Sequence, residues 1–418
     1  MIGDRKPKFF YGYIVVLATF CIFAVGGGVW VVFGIFFEPM LTEFGWARAM
    51  LSGAFSLWVF VITLFGIGLG RLTDKFGPRS VVTACGLFLG LGFLLMSQVN
   101  TIWQLYLFYG VILGIGISGL WIPIIATVPR WFAKRMGMML GIVLSGASVG
   151  GIIMPSLATR LIITYGWRTS YIIIGIIVLV LIILAAQFLR RDPAQMGQLP
   201  DGGNELKAES LDLQAGGMSL REAVHTRRFW ILCAIFGCLW FSADAIWVHL
   251  VIHAIDLGIP AASAANILAI IGGASIVGRI VIGSTADRIG HKPALLIGFT
   301  LMIVSLLWLL VAKELWALYL FAVIFGFGSS GLVVLESPLA AKLFGLTSLG
   351  VILGSIEFVS TAFGAINPIL AGYIFDITGS YQLAFRISVG VSVIGLILVL
   401  LLRPITRKGG TNDSERST

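Results

Sequence analysis

Gly70-Arg71-Leu72-Thr73-Asp74-Lys75-Phe76-Gly77-Pro78-Arg79 returns 213 residues later as Gly283-Ser284-Thr285-Ala286-Asp287-Arg288-Ile289-Gly290-His291-Lys292. The same offset pairs Glu43 with Asp256, Gly45 with Gly258, Trp103 with Trp316 and Gly141 with Gly354. It also pairs Gly151 with Gly364, Pro155 with Pro368 and Gly166 with Gly379. One spacing sustained along most of a chain means two halves built on one plan, and each half can be subtracted from the other.

Both copies sit between long apolar runs. The chain has 418 residues, 58% hydrophobic and only 11% charged, with a mean hydropathy of +1.02. A water-soluble fold cannot clothe its surface from that composition. The runs approach the roughly 20 residues that a helix needs to cross a bilayer. Lipid offers the backbone no hydrogen bonds, so the runs are helices. Twelve spans are predicted, at 10–37, 49–70, 80–99, 102–128, 137–160, 169–189, 229–255, 263–286, 292–312, 315–340, 347–372 and 382–402. The fold class is therefore an all-α membrane protein of two pseudo-symmetric six-helix bundles, residues 9–189 and 229–402.

The net charge of +9 does not point to nucleic acid, because the cations lie on one side of the membrane. Counting residues at span ends with the nearer side, 22 of the 28 Lys and Arg fall in the N-terminus, the even-to-odd loops and the tail; five fall opposite, and Arg279 lies within a span. The positive-inside rule places the rich side, with both termini, in the cytoplasm. The expected location is a cytoplasmic (inner) membrane. The first span is too long for a signal-peptide core and is expected to be retained. Cys21, Cys85, Cys233 and Cys238 fall in spans and match no zinc or redox spacing. No cofactor or metal is expected, no nucleophile–base motif suggests an enzyme, and the protein is expected to work as a monomer.

Residues 190–228 form the one long polar segment, a linker that lets two bundles move. Near its end, Ser219 followed by Glu222 predicts a short helix. The tail, 403–418, is polar and expected to be disordered.

The repeated loop resembles the signature of the major facilitator superfamily, G-x-x-x-D-[RK]-x-G-x-[RK], and both copies match it. The resemblance implies a transporter that works by alternating access. A carboxylate at a helix end beside fixed cations can latch one conformation and release in another. Asp74, Arg79, Asp287 and Lys292 are the expected latch. A narrower resemblance, to the monocarboxylate transporters and their relatives the oxalate/formate exchangers, lies in Arg130-Trp131-Phe132-Ala133-Lys134-Arg135 running into Gly141, Gly146 and Gly150. Ser275-Ile276-Val277-Gly278-Arg279 stands where that family carries its substrate-binding arginine.

Subtracting the halves isolates the chemistry. The first six spans hold no ionisable residue away from their ends except cysteine and tyrosine; the last six hold Asp244, His249, His253, Arg279, Glu336 and Glu357. At offset 213, Asp244 falls on Val31, Arg279 on Gly66 and Glu357 on Leu144; at 212, Glu336 falls on Ile124. A charge costs about 2.5–3.5 kcal/mol to insert at mid-membrane, so retained charges usually face a cavity. Arg279 offers a carboxylate a planar, permanently charged fork; its alternative use is a structural ion pair with Asp244, Glu336 or Glu357. Glu357, near mid-span, can hold a proton because a desolvated carboxyl resists ionising. His249, His253 and Asp256 share a helix face, but Asp256 is matched by Glu43, which suggests a structural role.

The chain departs from the resemblance in two places. Mammalian-type members carry an acid four residues before the eighth-helix arginine, where this chain has Ser275, and a first-helix lysine, where this chain has Gly26-Gly27-Gly28 among apolar residues. Proton coupling must then fall to Glu357, Asp244, Glu336 or Asp256. The expected function is proton-coupled symport of a small monocarboxylate such as L-lactate or pyruvate. The expected substrate site is Arg279 with Ser275 and His249 and apolar walls that include Gly27, Gly28 and Leu144. The alternative is an oxalate/formate-type anion exchanger, which would want a second cation where the eleventh span carries Glu357.

Overall fold

A computed structural model describes residues 9–46, 48–202 and 217–402. The expected tail, 403–418, lies outside the described residues, as does the middle of the linker, 203–216. The described residues form long helices and no strand. We number the spanning helices α1 (Gly12–Phe44), α2 (Arg48–Phe76), α3 (Pro78–Met96) and α4 (Ile102–Trp131). After them come α5 (136–165) and α6 (167–187), which run on from each other around Gly166. The second half holds α7 (Arg227–Asp256), α8 (Ala261–Ile289), α9 (His291–Leu309), α10 (Leu315–Phe344), α11 (Leu349–Thr378) and α12 (Gln382–Leu401).

Several helices overrun their expected ends. The first reaches Phe44, not 37, because hydropathy falls before helix formation does; Gly45, at φ 63°, ends it. Between α5 and α6 the sequence suggests a loop, 161–168, yet the chain turns at one residue, Gly166, at φ 77° and ψ 162°. A side chain there would be strained, and glycine carries none. Three helices are irregular inside: α4 has a π-helical stretch at Tyr106–Leu113, α10 breaks at Leu335 and α11 at Ala365. The breaks in α10 and α11 precede Pro338 and Pro368, whose rings exclude the hydrogen bond of a regular helix.

The linker ends are docked. Ser219 and Glu222 cap the short helix Leu220–Val224 reciprocally, and these bonds hold the exposed Glu222 carboxyl below the usual carboxylate range. Asp201 accepts from the backbone N–H groups of Ala133 and Lys134, each at 3.0 Å, while Met218 N–H donates to Phe344 O at 2.8 Å. One linker end is thus tied to the loop after the fourth helix of the first half, and the other to the last residue of the fourth helix of the second.

Within the first half, α1 lies against α5 at backbone distance. A Cβ on Gly150 would strike the backbone of Ala24, one on Gly146 that of Phe20, and one on Gly27 that of Ala147. Small residues permit this close packing in lipid, where apolar burial supplies no net drive. Gly150→Leu is therefore expected to force α1 from α5 and cost about 1–3 kcal/mol, whereas Gly34→Leu, with nothing within 4 Å of its Cβ, should change little. Thermal unfolding in detergent compares the two; equal midpoints would contradict the packing assignment.

Candidate functional site

The two halves meet face to face through two equivalent crossings, α2 with α11 and α5 with α8. Gly70 opposes Gly350, and Gly283 opposes Gly137. One turn further in, Gly354 opposes Gly66 and Gly141 opposes the backbone of Arg279. All four contacts repeat at offset 213. The crossings lie toward the bundle face where α1 begins and α12 ends, which we call the terminal face, and they close that face.

Each crossing is pinned by a carboxylate. Asp74 accepts from the N–H groups of Gly350 and Val351 at 3.2 and 3.0 Å. Asp287 accepts from those of Gly137 and Met138, both at 2.8 Å. These N–H groups start α11 and α5, where the first turn has no internal acceptor and the helix dipole favours an anion. At the α2–α11 crossing Asp74 is also met by a cation: Arg130 lies 3.4 Å from Asp74 and 3.5 Å from Asp192, and donates to Leu346 O at 2.5 Å.

The other two expected latch residues sit elsewhere. Arg79 donates to Gln187 Oε1 at 2.5 Å, and Lys292 donates to the carbonyls of Leu400 and Leu402, each at 2.8 Å. Both contacts stay within one half and tie the third helix of each bundle to its sixth. The loop motif thus separates into a carboxylate that reaches across and a cation that holds its own bundle.

Arg279 lies ten residues before the end of α8 at Ile289, about 15 Å in at 1.5 Å per residue. Its Nη1 donates to Leu144 O at 2.5 Å and to Ser148 Oγ at 3.1 Å. Both acceptors belong to α5, so the guanidinium bridges the halves. Its Nε has no partner, and no carboxylate lies within 4.0 Å of it among the described residues. The structural ion pair weighed from sequence is therefore absent: Asp244, Glu336 and Glu357 lie apart from this charge.

A sequence profile of the Major Facilitator Superfamily matches residues 18–283 and 238–418. The chain belongs to this superfamily. It is similar to monocarboxylate transporter 13 of Rattus norvegicus, 28% identical over 387 residues that cover 92% of this chain and 87% of the relative. It is also similar to monocarboxylate transporter 12 of Mus musculus, 26% identical over 95% of this chain and 86% of the relative. Among solved structures, the E. coli fucose:proton symporter aligns with a TM-score of 0.69 at 17% identity, covering 95% of this chain and 100% of its own. A proton:xylose symporter aligns at 0.70 and 14%, covering 94% and 96%. At such identities the structures speak for the fold alone. The protein is a multi-pass membrane transporter of this superfamily, not an enzyme.

In this transporter the remaining expected site residues do not gather around Arg279. Gly27 and Gly28 pack on Ala147 and Met154 of α5, so they serve helix contact and not a cavity wall. The Leu144 side chain is buried, and what it offers the guanidinium is its carbonyl. Ser275 is locked between α8 and α10, donating to Ile271 O at 2.7 Å and accepting from Ser330 Oγ at 2.7 Å. His249 sits at the opposite membrane face, its Nε2 at 2.9 Å from Pro368 O and its ring against Tyr381. Asp256, at that face too, is exposed. Its counterpart Glu43 binds Trp167 and Arg168, but the offset places Ser380 and Tyr381 there, so the pair is not repeated. Among the described residues no three His, Cys, Asp or Glu side chains converge as metal ligands.

Glu336 and Glu357 do meet. Their buried carboxyls lie beside each other between α10 and α11, with Asp244 of α7 nearby, and Glu336 Oε1 and Glu357 Oε2 have no hydrogen-bond partner among the described residues. Glu336 is 3% exposed and directly follows the break in α10. Its neighbour Ser337 donates across the halves to Ile125 O at 2.5 Å. The pair therefore sits beside the closed seam.

Sequence reasoning missed Ser148, one turn beyond Leu144 on α5, and the helix-start N–H groups that receive Asp74 and Asp287. The second were legible in part, since Gly137 and Gly350 also obey the offset. Removing either carboxylate, as Asp74→Ala or Asp287→Ala, should loosen its crossing. A carboxylate at a helix start contributes about 1–2 kcal/mol, so amide exchange at 349–352 or at 136–139 should quicken roughly five- to thirtyfold. Unchanged protection in both variants would remove the latch role.

Proposed function

We propose that the chain is a proton-coupled symporter of small monocarboxylates such as L-lactate and pyruvate, with the terminal face cytoplasmic and the protein acting as a monomer in a bacterial inner membrane. The observation that carries this reading is Arg279: a cation deep in the bundle that spans the two halves and has only neutral acceptors. A carbonyl and a hydroxyl solvate a guanidinium without neutralising it. A substrate carboxylate offers the same fork two charged acceptors, which is a stronger bond. Because Leu144 and Ser148 belong to one half and Arg279 to the other, exchanging these acceptors for substrate loosens a contact between the halves. Substrate binding and rocking are thereby linked.

The proton is assigned to the Glu336–Glu357 pair. With no first-helix lysine and no acid one turn before Arg279, the acid pair supplies the titratable group. It sits apart from the guanidinium, so the carboxylate and the proton are held at separate places and cross together as a neutral load. The matched relatives named as monocarboxylate transporters support the substrate class.

In proteoliposomes, labelled lactate is expected to accumulate when the outside is made acidic, and a protonophore should abolish accumulation. The sign follows from proton uptake: lower external pH protonates the carrier and raises inward flux. Uptake that needs a counter-substrate inside and ignores pH would select the anion exchanger. Arg279→Gln should reduce uptake at least about thirtyfold, since losing one partner of a buried charge pair costs about 2–5 kcal/mol. Full transport by that variant would refute the anion site.

A further inference from the structure

The α5–α8 crossing has an outer lip that the latch does not explain. Beside Asp287 lies a cavity of about 530 Å³ lined by Lys134, Arg135, Met138, Ser284, Asp287 and Arg288. Lys134 and Arg135 come from the loop between α4 and α5, and Arg288 from the last turn of α8, so cations of both halves face one space. All three are exposed and none has a carboxylate within 4.0 Å among the described residues. The lining acid, Asp287, is already bound to the start of α5, and Lys342 of α10 attracts it further. The cavity is left with an excess of unpaired positive charge.

The offset shows that this excess is not part of the shared scaffold. At the equivalent α2–α11 lip, Lys134 and Arg135 are replaced by Thr347 and Ser348, while Arg71 and Lys75 stand opposite. Of the two lips, the α5–α8 one alone is basic on both walls among the described residues. Both lips have the same latch, so the added cations of one serve something else.

Depth identifies the chemistry. Lys134 and Arg135 also line a neighbouring cavity of about 230 Å³ with Phe10, Tyr13, Phe132 and Asp201. Its aromatic rings pack together, Phe10 on Phe132 at 5.4 Å and Tyr13 on Phe132 at 6.0 Å, and Asp201 is engaged by the Ala133 and Lys134 N–H groups. Aromatic side chains of this kind gather where lipid tails give way to headgroups. Lys134, Arg135 and Arg288 thus stand at headgroup level, with the exposed apolar side chains of Val281 and Ile289 nearby on α8. We propose that this lip is a binding site for the phosphate of an anionic lipid headgroup, held by Lys134 and Arg135 from one half and Arg288 from the other. A lipid there bridges the halves only while the terminal face is closed, and so favours that state. The shared chemistry is a phosphate anion; a lipid supplies it with acyl chains, a soluble phosphate without them.

The test uses the delipidated full chain in detergent, titrated with dioctanoyl-phosphatidylglycerol, dioctanoyl-phosphatidylcholine or inorganic phosphate, with occupancy read by native mass spectrometry. Phosphatidylglycerol should bind and phosphatidylcholine should not. Each cation near a membrane surface is worth roughly a fivefold gain in binding, so the triple variant Lys134→Gln, Arg135→Gln and Arg288→Gln should bind on the order of a hundredfold more weakly. Arg71→Gln with Lys75→Gln, at the other lip, should bind as the parent does. If the triple variant fails to fold, Arg288→Gln alone should show a roughly fivefold loss. Equal binding by these variants and the parent would overturn the proposal. So would equal binding of the two lipids, or inorganic phosphate that occupies the site as well as phosphatidylglycerol does. None of these readings depends on which substrate is carried.

Discussion

A carboxylate at the start of a helix from the opposite half is the contact that both crossings share. Asp74 reaches the first N–H groups of α11, and Asp287 reaches those of α5. The interaction needs no cation from the partner half, only a helix start with unsatisfied donors. Such donors are fixed by the backbone and cannot turn away. The bond therefore forms when two helix ends arrive at the right place and breaks when they part. Glycines at 70, 137, 283 and 350 let the backbones come close enough for the carboxylates to reach.

The same close approach sets the environment of the unmatched charges. Because Gly141 lets α5 lie on the backbone of Arg279, the guanidinium finds the Leu144 carbonyl within reach. It is solvated by the other half of the protein, not by an acid of its own. The acids pair with each other. In the proposed symporter, separating the lone cation from the acid pair keeps the anion and proton sites from neutralising one another in the empty state. A direct Arg279–Glu357 ion pair would have satisfied each charge with the other.

Much of the plan was legible. The repeat, the twelve spans and the linker cap at Ser219 and Glu222 depend on local periodicity and on residue types that act within one helical turn. The single turn at Gly166 was not, because a junction of one residue carries no polar stretch to mark it. Of the site, Arg279 stood out for lacking a counterpart at Gly66, but Ser148 did not, since a serine in a span has many local uses. Gly27, Gly28 and Ser275 were placed near the substrate by their position along helices. Rotation about the helix axis, which position along the chain leaves open, turned them into packing contacts instead.

Sequence alone therefore determined that two equivalent bundles cross the membrane, and that the charges within it belong to the second. Those facts follow from hydropathy and an offset, and each can be read one residue at a time. Tertiary structure decided which charges meet: Arg279 with α5 of the other half, Glu336 with Glu357, Asp74 and Asp287 with helix starts more than a hundred residues away. The physical reason is range. A helix forms from neighbours three or four residues apart, whereas a charge finds its partner only after whole helices have packed.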